Sequence, residues 1–372
     1  MAFHQPIRVG VVGANPDYGW GSGVHVRVIQ RLPGFSLHGV CTTRQESVQR
    51  AAEAFGAPLA FTDAGELARH PEIDLVSICV KAPFHYEIAR AALDAGKHVY
   101  CEWPLAFTVS EAEKLAQLAA ERGLKAMIGL HLRGTAPMRQ AACLIGEGRI
   151  GDVYSIRVSA RMFGPMMRAM AMRKGGTTLL SIYGGHLLDA VDHFFGGLGE
   201  TMASGAIHLP PVDETGKAID RDAFDHLQFH GRLKGGAMFS IDLAGVSTAD
   251  MGCTWRIEGR DGSLTLSTRD PSLPAIEALV LSDASGPIAI DPRFDCAAIP
   301  AEPDRYSAYP GSFASREALS AIGTLYSDLG RAIHEDSSVV PDFARAVEIQ
   351  TLLDRMDASA TASSHQHKGV PA

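Results

Sequence analysis

The chain has no run of Lys and Arg, no Cys-x-x-Cys pair, and no apolar stretch of the ~20 residues that a membrane span needs. Acidic residues outnumber basic ones, 42 to 34, and the formal net charge of −8 has the wrong sign for neutralising nucleic-acid phosphates. The six cysteines (Cys41, Cys79, Cys101, Cys143, Cys253, Cys296) are scattered, and three end or sit in apolar strand patterns. They read as buried free thiols rather than a disulfide framework or a metal site. The opening "MAFHQPIRVG" runs straight into a strand pattern, without the charged start and apolar core of a secretory leader. These absences lead us to expect a cytoplasmic protein that takes no metal, no membrane and no nucleic acid. What is present is ordinary for a soluble protein: 372 residues, 46% hydrophobic and 20% charged, enough for two domains with separate cores.

The N-terminal third alternates strand and helix patterns. Strands are expected at 7–12, 36–41, 75–80, 98–101 and 125–129, with helices at 24–32, 45–55, 84–95 and 110–122 between them. Ser110 and Glu113 suggest a capping box for the last helix, and Gly96 and Gly123 suggest helix stops. Strands apolar on both faces, joined by helical crossovers, imply an α/β fold with a doubly wound parallel sheet. Its first turn reads "VGVVGANPDYGWGSGVHVRVIQRL". Gly13 fits the first position of the G-x-G-x-x-G phosphate turn, Asn15 stands at the second, and a longer segment with Gly19 and Trp20 follows. Asn tolerates unusual backbone angles, so the departure is mild. Taken alone the motif is weak, and a structural glycine-rich turn accounts for it as well. Its place after the first strand favours a dinucleotide. The second strand ends in Thr42, Thr43 and Arg44 where an NAD site usually has an acid. Hydroxyls and a guanidinium suit a 2′-phosphate, so NADP(H) is favoured over NAD(H).

Three longer phrases, "IDLVSICVKAPFHYEIARAALDAGKHVYCEWPLAFTVSEAEKLAQLAAERG", "LIGEGRIGDVYSIRV" and "GGHLLDAVDHFFGG", resemble the Gfo/Idh/MocA oxidoreductase family over nearly the whole chain. "GANPDYGWGSGVH", "CEWPLA" and "FDHLQFHGRL" are more narrowly similar to a subgroup that includes the fungal galactose-regulon repressors. The resemblance implies a Rossmann domain (1–128), then a substrate and oligomerisation domain with a large open, mostly antiparallel sheet (129–357). A tail at 358–372, rich in small polar residues, reads as disordered. It also implies a homodimer or homotetramer and a small-molecule substrate against the nicotinamide. Ala82, Pro83 and His85 would line the cofactor, with Glu102, Trp103 and Pro104 turning beside it. Trp103, His131, Arg133, Met166 and Met167 would face the substrate.

Two family residues are missing. Dehydrogenases of the family usually carry Glu-Lys-Pro, where this chain has Trp103 for the lysine. They also carry Asp four residues before a histidine, where this chain has Ile182 before His186. Hydride transfer belongs to the cofactor, so one surviving base could support it. His186 is the first candidate acid/base, with Asp189 one helical turn on to orient it. Tyr183, Lys81 and His131 stand in reserve. Trp103 could floor a dry, flat pocket or simply fill core. The methionines of "RMFGPMMRAMAMRKGG" suit an apolar or aromatic substrate surface, or else a core or subunit contact. Arg168 and Arg173 there could hold a carboxylate.

These features point to an NAD(P)-dependent oxidoreductase acting on a hydroxyl or carbonyl of a sugar-like, glycoside or aromatic substrate. The rival is a non-catalytic regulator that senses the dinucleotide, favoured by the two missing groups. A cofactor-assisted lyase or epimerase would use most of the same residues.

Overall fold

The computed structural model describes residues 5–162, 168, 170–246, 251–268, 276, 278–299 and 315–366. Six strands, β1 (Ile7–Val12), β2 (Phe35–Cys41), β3 (Leu59–Phe61), β4 (Leu75–Ile78), β5 (His98–Glu102) and β6 (Ala126–Gly129), form a parallel sheet in the order β3-β2-β1-β4-β5-β6. Val9, Val11, Leu75, Val76, Val99 and Tyr100 are buried on both faces, which is why these strands are nearly continuous in apolar residues. The crossovers carry α1 (Arg27–Arg31), α2 (Gln45–Phe55), α3 (Ala64–Arg69), α4 (His85–Asp94) and α5 (Val109–Glu121). A π-helical turn, Gly21–Val26, leads into α1.

The capping box of α5 lies two residues before the expected one. Thr108 Oγ1 accepts the Glu111 N–H at 3.2 Å, and the Glu111 carboxylate accepts the Thr108 N–H at 3.0 Å. Ser110 and Glu113 lie within the helix. β3 and α3 occupy a stretch whose elements, three and six residues long, are too short to show a period.

A second set of elements follows: α6 (Ala136–Gly146), β7 (Val153–Arg161), a π-helical turn at Leu180–Gly184, α7 (Gly185–Phe194), β8 (Leu198–Ala206), β9 (His226–Leu233), β10 (Met238–Ala244), β11 (Gly252–Gly259), β12 (Gly262–Thr268), β13 (Leu279–Asp283) and β14 (Gly286–Pro287). These strands pair as β14-β13-β12-β11-β7-β10-β9-β8, antiparallel except for β10 with β7. Alternation is clean. Ile156, Val158, Phe229, Ile241 and Trp255 are buried, while Arg157, Ser159, Gln228, Ser240 and Arg256 are exposed on the other face.

The last helices are α8 (Arg316–His334) and α9 (Phe343–Gln366). The chain divides into two compact units, Met1–Gly134 with Asp295–Glu348, and Thr135–Phe294 with Ile349–Ala372. The single boundary expected near 128 is therefore replaced by a chain that leaves the first unit and returns. The reason is apolar. Leu319, Ile322, Leu325, Tyr326 and Leu329 of α8 complete the core around Val9, Val11 and Ile29. Gly134 permits the close approach, since a Cβ there would meet the Ala321 carbonyl oxygen at 2.1 Å. The tail expected from 358 is helical through Gln366, because α9 continues across that point. Among the described residues no helix is long and apolar enough to cross a membrane.

Candidate functional site

In the first unit the site grows from the turn after β1. Gly13 leaves the strand at φ 95°, where a Cβ would stand 2.3 Å from the Cys79 carbonyl oxygen. A Cβ on Gly21 would meet the Gly13 carbonyl oxygen at 2.5 Å. Both positions admit only bare backbone, the condition under which a chain can lie against a diphosphate at a helix start. Asn15 does not use the backbone freedom expected of it. Among the described residues Asp336 is the one non-glycine with positive φ. Instead Asn15 Oδ1 accepts the Asp17 N–H at 2.9 Å and closes a tight local turn. Asp17 then accepts from Arg50 of α2 at 2.5 and 3.0 Å, strapping the lengthened loop to the next crossover. Gly19, at φ 105°, has open space where a side chain would be. Trp20 is half-buried, its ring centroid 6.0 Å from that of His131, and its buried Nε1 has no hydrogen-bond partner. A bare-backbone cradle beside an unspent indole N–H fits a dinucleotide.

At the end of β2, Thr42 is buried and local: its hydroxyl lies 2.7 Å from Ser47 Oγ and donates to the Arg44 carbonyl at 3.2 Å. Thr43 and Arg44 are exposed, and no acid stands among them. Beyond β4, Ala82 is buried and Pro83 exposed in a short 3-10 turn, with Lys81 exposed before it. His85, expected along the cofactor, is buried at the start of α4. Its Nδ1 lies 2.7 Å from the Pro104 carbonyl oxygen and its Nε2 2.9 Å from that of Val80. Both ring nitrogens face backbone, so the ring clamps the two loops to each other. Burial lowers its pKa and outweighs the two carbonyls, which favour the charged ring. The Trp103-Pro104 peptide is cis, and Trp103 is only 5% exposed.

Glu102, before Trp103, leads to a group that motif reading misses. His25, in the π-helical turn and fully buried, has Nε2 3.0 Å from Glu102 Oε1. Its Nδ1 is 2.9 Å from the Tyr326 hydroxyl of α8, which donates to Ser77 Oγ at 2.7 Å. A carboxylate only accepts, so Nε2 carries a proton. Tyr326 gives its proton to Ser77, so its oxygen accepts and Nδ1 carries one too. This arrangement favours the charged, doubly protonated ring. Burial pulls its pKa down, but Cys79, Tyr326 and Glu102 outweigh burial and hold it well above the ordinary histidine value. Burial pushes Tyr326 up to about 12. Tyr100 stacks on Tyr326 at 4.7 Å and meets His25 edge-on at 5.2 Å. The one signal in the sequence was a histidine among the valines of "GVHVRV", 301 positions from its tyrosine.

His131 and Arg133 are buried on a short turn, His131–Gly134, of the same unit. The second unit carries the other candidates on one stretch of chain. Tyr183 is half-buried in the π-helical turn, and His186 and Asp189 are both buried on α7, three residues apart and so on one face. Arg168 and Arg173, expected as candidates for a substrate carboxylate, each have an acidic neighbour within this unit. Arg173 pairs with Asp357, its guanidinium 5.0 Å over the Phe224 ring, and Arg168 lies 3.6 Å from Asp213. Met166 and Met167 lie outside the described residues.

Residues 7–130 match the family model for the GFO_IDH_MocA oxidoreductases, NAD-binding Rossmann fold, and residues 137–268 match that of the Gal80p C-terminal domain. The chain is 29% identical over 300 residues to dehydrogenase aclE of Aspergillus oryzae, covering 75% of this chain and 82% of that one. It is 30% identical over 257 residues to the galactose/lactose metabolism regulatory protein GAL80 of Kluyveromyces lactis, covering 62% of this chain and 56% of the regulator. Against the scyllo-inositol 2-dehydrogenase (NADP(+)) IolW of Bacillus subtilis the identity is 28% over 261 residues, covering 69% and 68%. Levoglucosan dehydrogenase in complex with NADH and levoglucosan shares the fold, with TM-score 0.79, 21% identity, and 96% and 98% of the two chains covered. A first part that matches the family's NAD-binding Rossmann model and a second that matches the Gal80p C-terminal domain make the chain a member of the Gfo/Idh/MocA oxidoreductase family that resembles Gal80.

Proposed function

We propose that the protein is an NAD(P)-dependent oxidoreductase acting on a hydroxyl or carbonyl of a sugar-like or glycoside substrate, with His186 as acid/base. The observation that carries the reading is the cradle of Gly13 and Gly21, which leaves backbone bare where a diphosphate would lie. A bound nicotinamide supplies the hydride chemistry, and the chain supplies the rest. Gly13 and Gly21 receive the diphosphate, and Trp20 Nε1 offers a donor. Thr43 and Arg44, exposed with no acid beside them, suit a 2′-phosphate and favour NADP(H). His186 takes the proton of the reacting hydroxyl or returns it, and Asp189 on the same helix face orients its ring. Trp103 in place of lysine makes the surroundings drier and favours a glycoside or aromatic group over a plain sugar. Self-association through the open face of the eight-stranded sheet belongs to the same reading, and light scattering checks it.

The regulator reading is favoured by one observation, the match of residues 137–268 to the Gal80p C-terminal domain. Absorbance at 340 nm separates the two when the purified protein is screened with polyols, glycosides and aromatic alcohols. Turnover that disappears in His186→Ala supports the enzyme. Tight dinucleotide binding with no spectral change for any substrate overturns it.

A further inference from the structure

We propose that the buried His25–Glu102 pair is a charge balance that sets which redox form of a nicotinamide dinucleotide the protein prefers. The inference rests on the dinucleotide reading and goes beyond it. Glu102 ends β5, at the carboxyl edge of a parallel sheet where ligands bind. Its carboxylate presses on the end of β6, since a Cβ on Gly129 would lie 2.6 Å from Oε1, and its side chain keeps 15% exposure. A lone carboxylate there would favour the oxidised nicotinamide, whose ring carries a positive charge that the reduced ring lacks. The fully buried imidazolium behind it, at 3.0 Å, cancels that bias.

The groups facing His25 are Glu102 and Tyr100 of β5, Ser77 of β4, Cys79 just beyond it, and Tyr326 of α8. Glu102 is the carboxylate among them. His25 also belongs to the helical turn that follows the phosphate loop, so one ion pair joins the turn after β1 to the Glu-Trp-Pro turn after β5. Unscreened charges a few ångströms apart change relative affinity by about tenfold or more, which makes the balance measurable.

Calorimetric dissociation constants for NAD⁺, NADH, NADP⁺ and NADPH test this on the wild type, His25→Gln, and the double variant His25→Gln/Glu102→Gln at pH 8. Removing the cation leaves a bare carboxylate, so His25→Gln should move the preference about tenfold toward the oxidised forms. The double variant carries neither charge and should return to the wild-type ratio, a rescue that a merely structural role would not produce. An unchanged ratio in His25→Gln, or a ratio still displaced in the double variant, overturns the proposal whatever happens to absolute affinity. Should His25→Gln not fold, Glu102→Gln compared at pH 6 and pH 8 asks the question with the opposite sign. The charged ring at pH 6 should disfavour the oxidised forms, and equal ratios at the two pH values overturn the idea. A wild type that binds no dinucleotide sinks the functional reading as well, whereas binding with an immovable ratio sinks only the charge balance.

Discussion

His25 and His186 are both buried, and both belong to helices that open with a π-helical turn, a device that recurs at functional sites. Their surroundings differ. His25 has a carboxylate on one nitrogen and a hydroxyl relay on the other, drawn from three separate elements of the first unit. His186 lies on one helix of the second unit, buried, with Asp189 three residues on and on the same face. The contacts of the first favour a held charge. The second is our candidate to exchange protons. A buried imidazole is thus classified by what it touches, and burial alone separates nothing.

The largest expected effect tests that division most directly. His186→Ala should lower kcat by about 10²–10⁴ with the fold intact, read as turnover at 340 nm beside a thermal melt. A loss of that size in His25→Gln without any loss of stability would erase the distinction. Next, His25→Ala breaks a buried ion pair and should cost about 3–5 kcal/mol in denaturant unfolding. The pH dependence has a definite sign. The folded state holds His25 well above its unfolded value of about 6.5, so its contribution is complete below that pH and fades as pH rises toward the folded value. The melting temperature should therefore fall above about pH 6.5 in the wild type, and His25→Gln should lack this component of the slope.

Gly13→Ala forces a side chain onto a carbonyl oxygen at positive φ, and should cost about 1–3 kcal/mol together with most dinucleotide binding. Calorimetry on the folded variant would expose an unaltered affinity. Arg44→Ala should weaken NADP(H) about tenfold and NAD(H) little, because a forked contact to phosphate is charge-assisted. Equal loss for both cofactors would remove the 2′-phosphate assignment. Smallest is Arg50→Ala, which cuts the exposed strap to Asp17. Exposed pairs contribute little, so stability should hardly move, and a large drop would show that the loop depends on its anchor.

Much of the first unit was legible because its signals are local. Strand and helix periods placed β1, β2, β4, β5 and β6, and the glycine turn placed the cradle. The same local reading misjudged Asn15, whose side chain rather than its backbone closes the turn. It also could not foresee that the two ring nitrogens of His85 lie against backbone carbonyls of two different loops. The acidic neighbours of Arg168 and Arg173, Asp213 and Asp357, are 45 and 184 residues away in the sequence, beyond any local window.

Periodicity and turn chemistry act over a few residues, so the sequence by itself determined the doubly wound sheet, the glycine turn after β1 and the helix carrying His186 and Asp189. It also specified Trp103 and Ile182 at the two positions where the family's dehydrogenases usually carry lysine and aspartate. Only the tertiary structure decided that α8 closes the first core, and that His25 meets Glu102 across 77 residues and Tyr326 across 301. Those contacts form because one buried polar group must find another. No pattern within a short window can say which distant partner it will be.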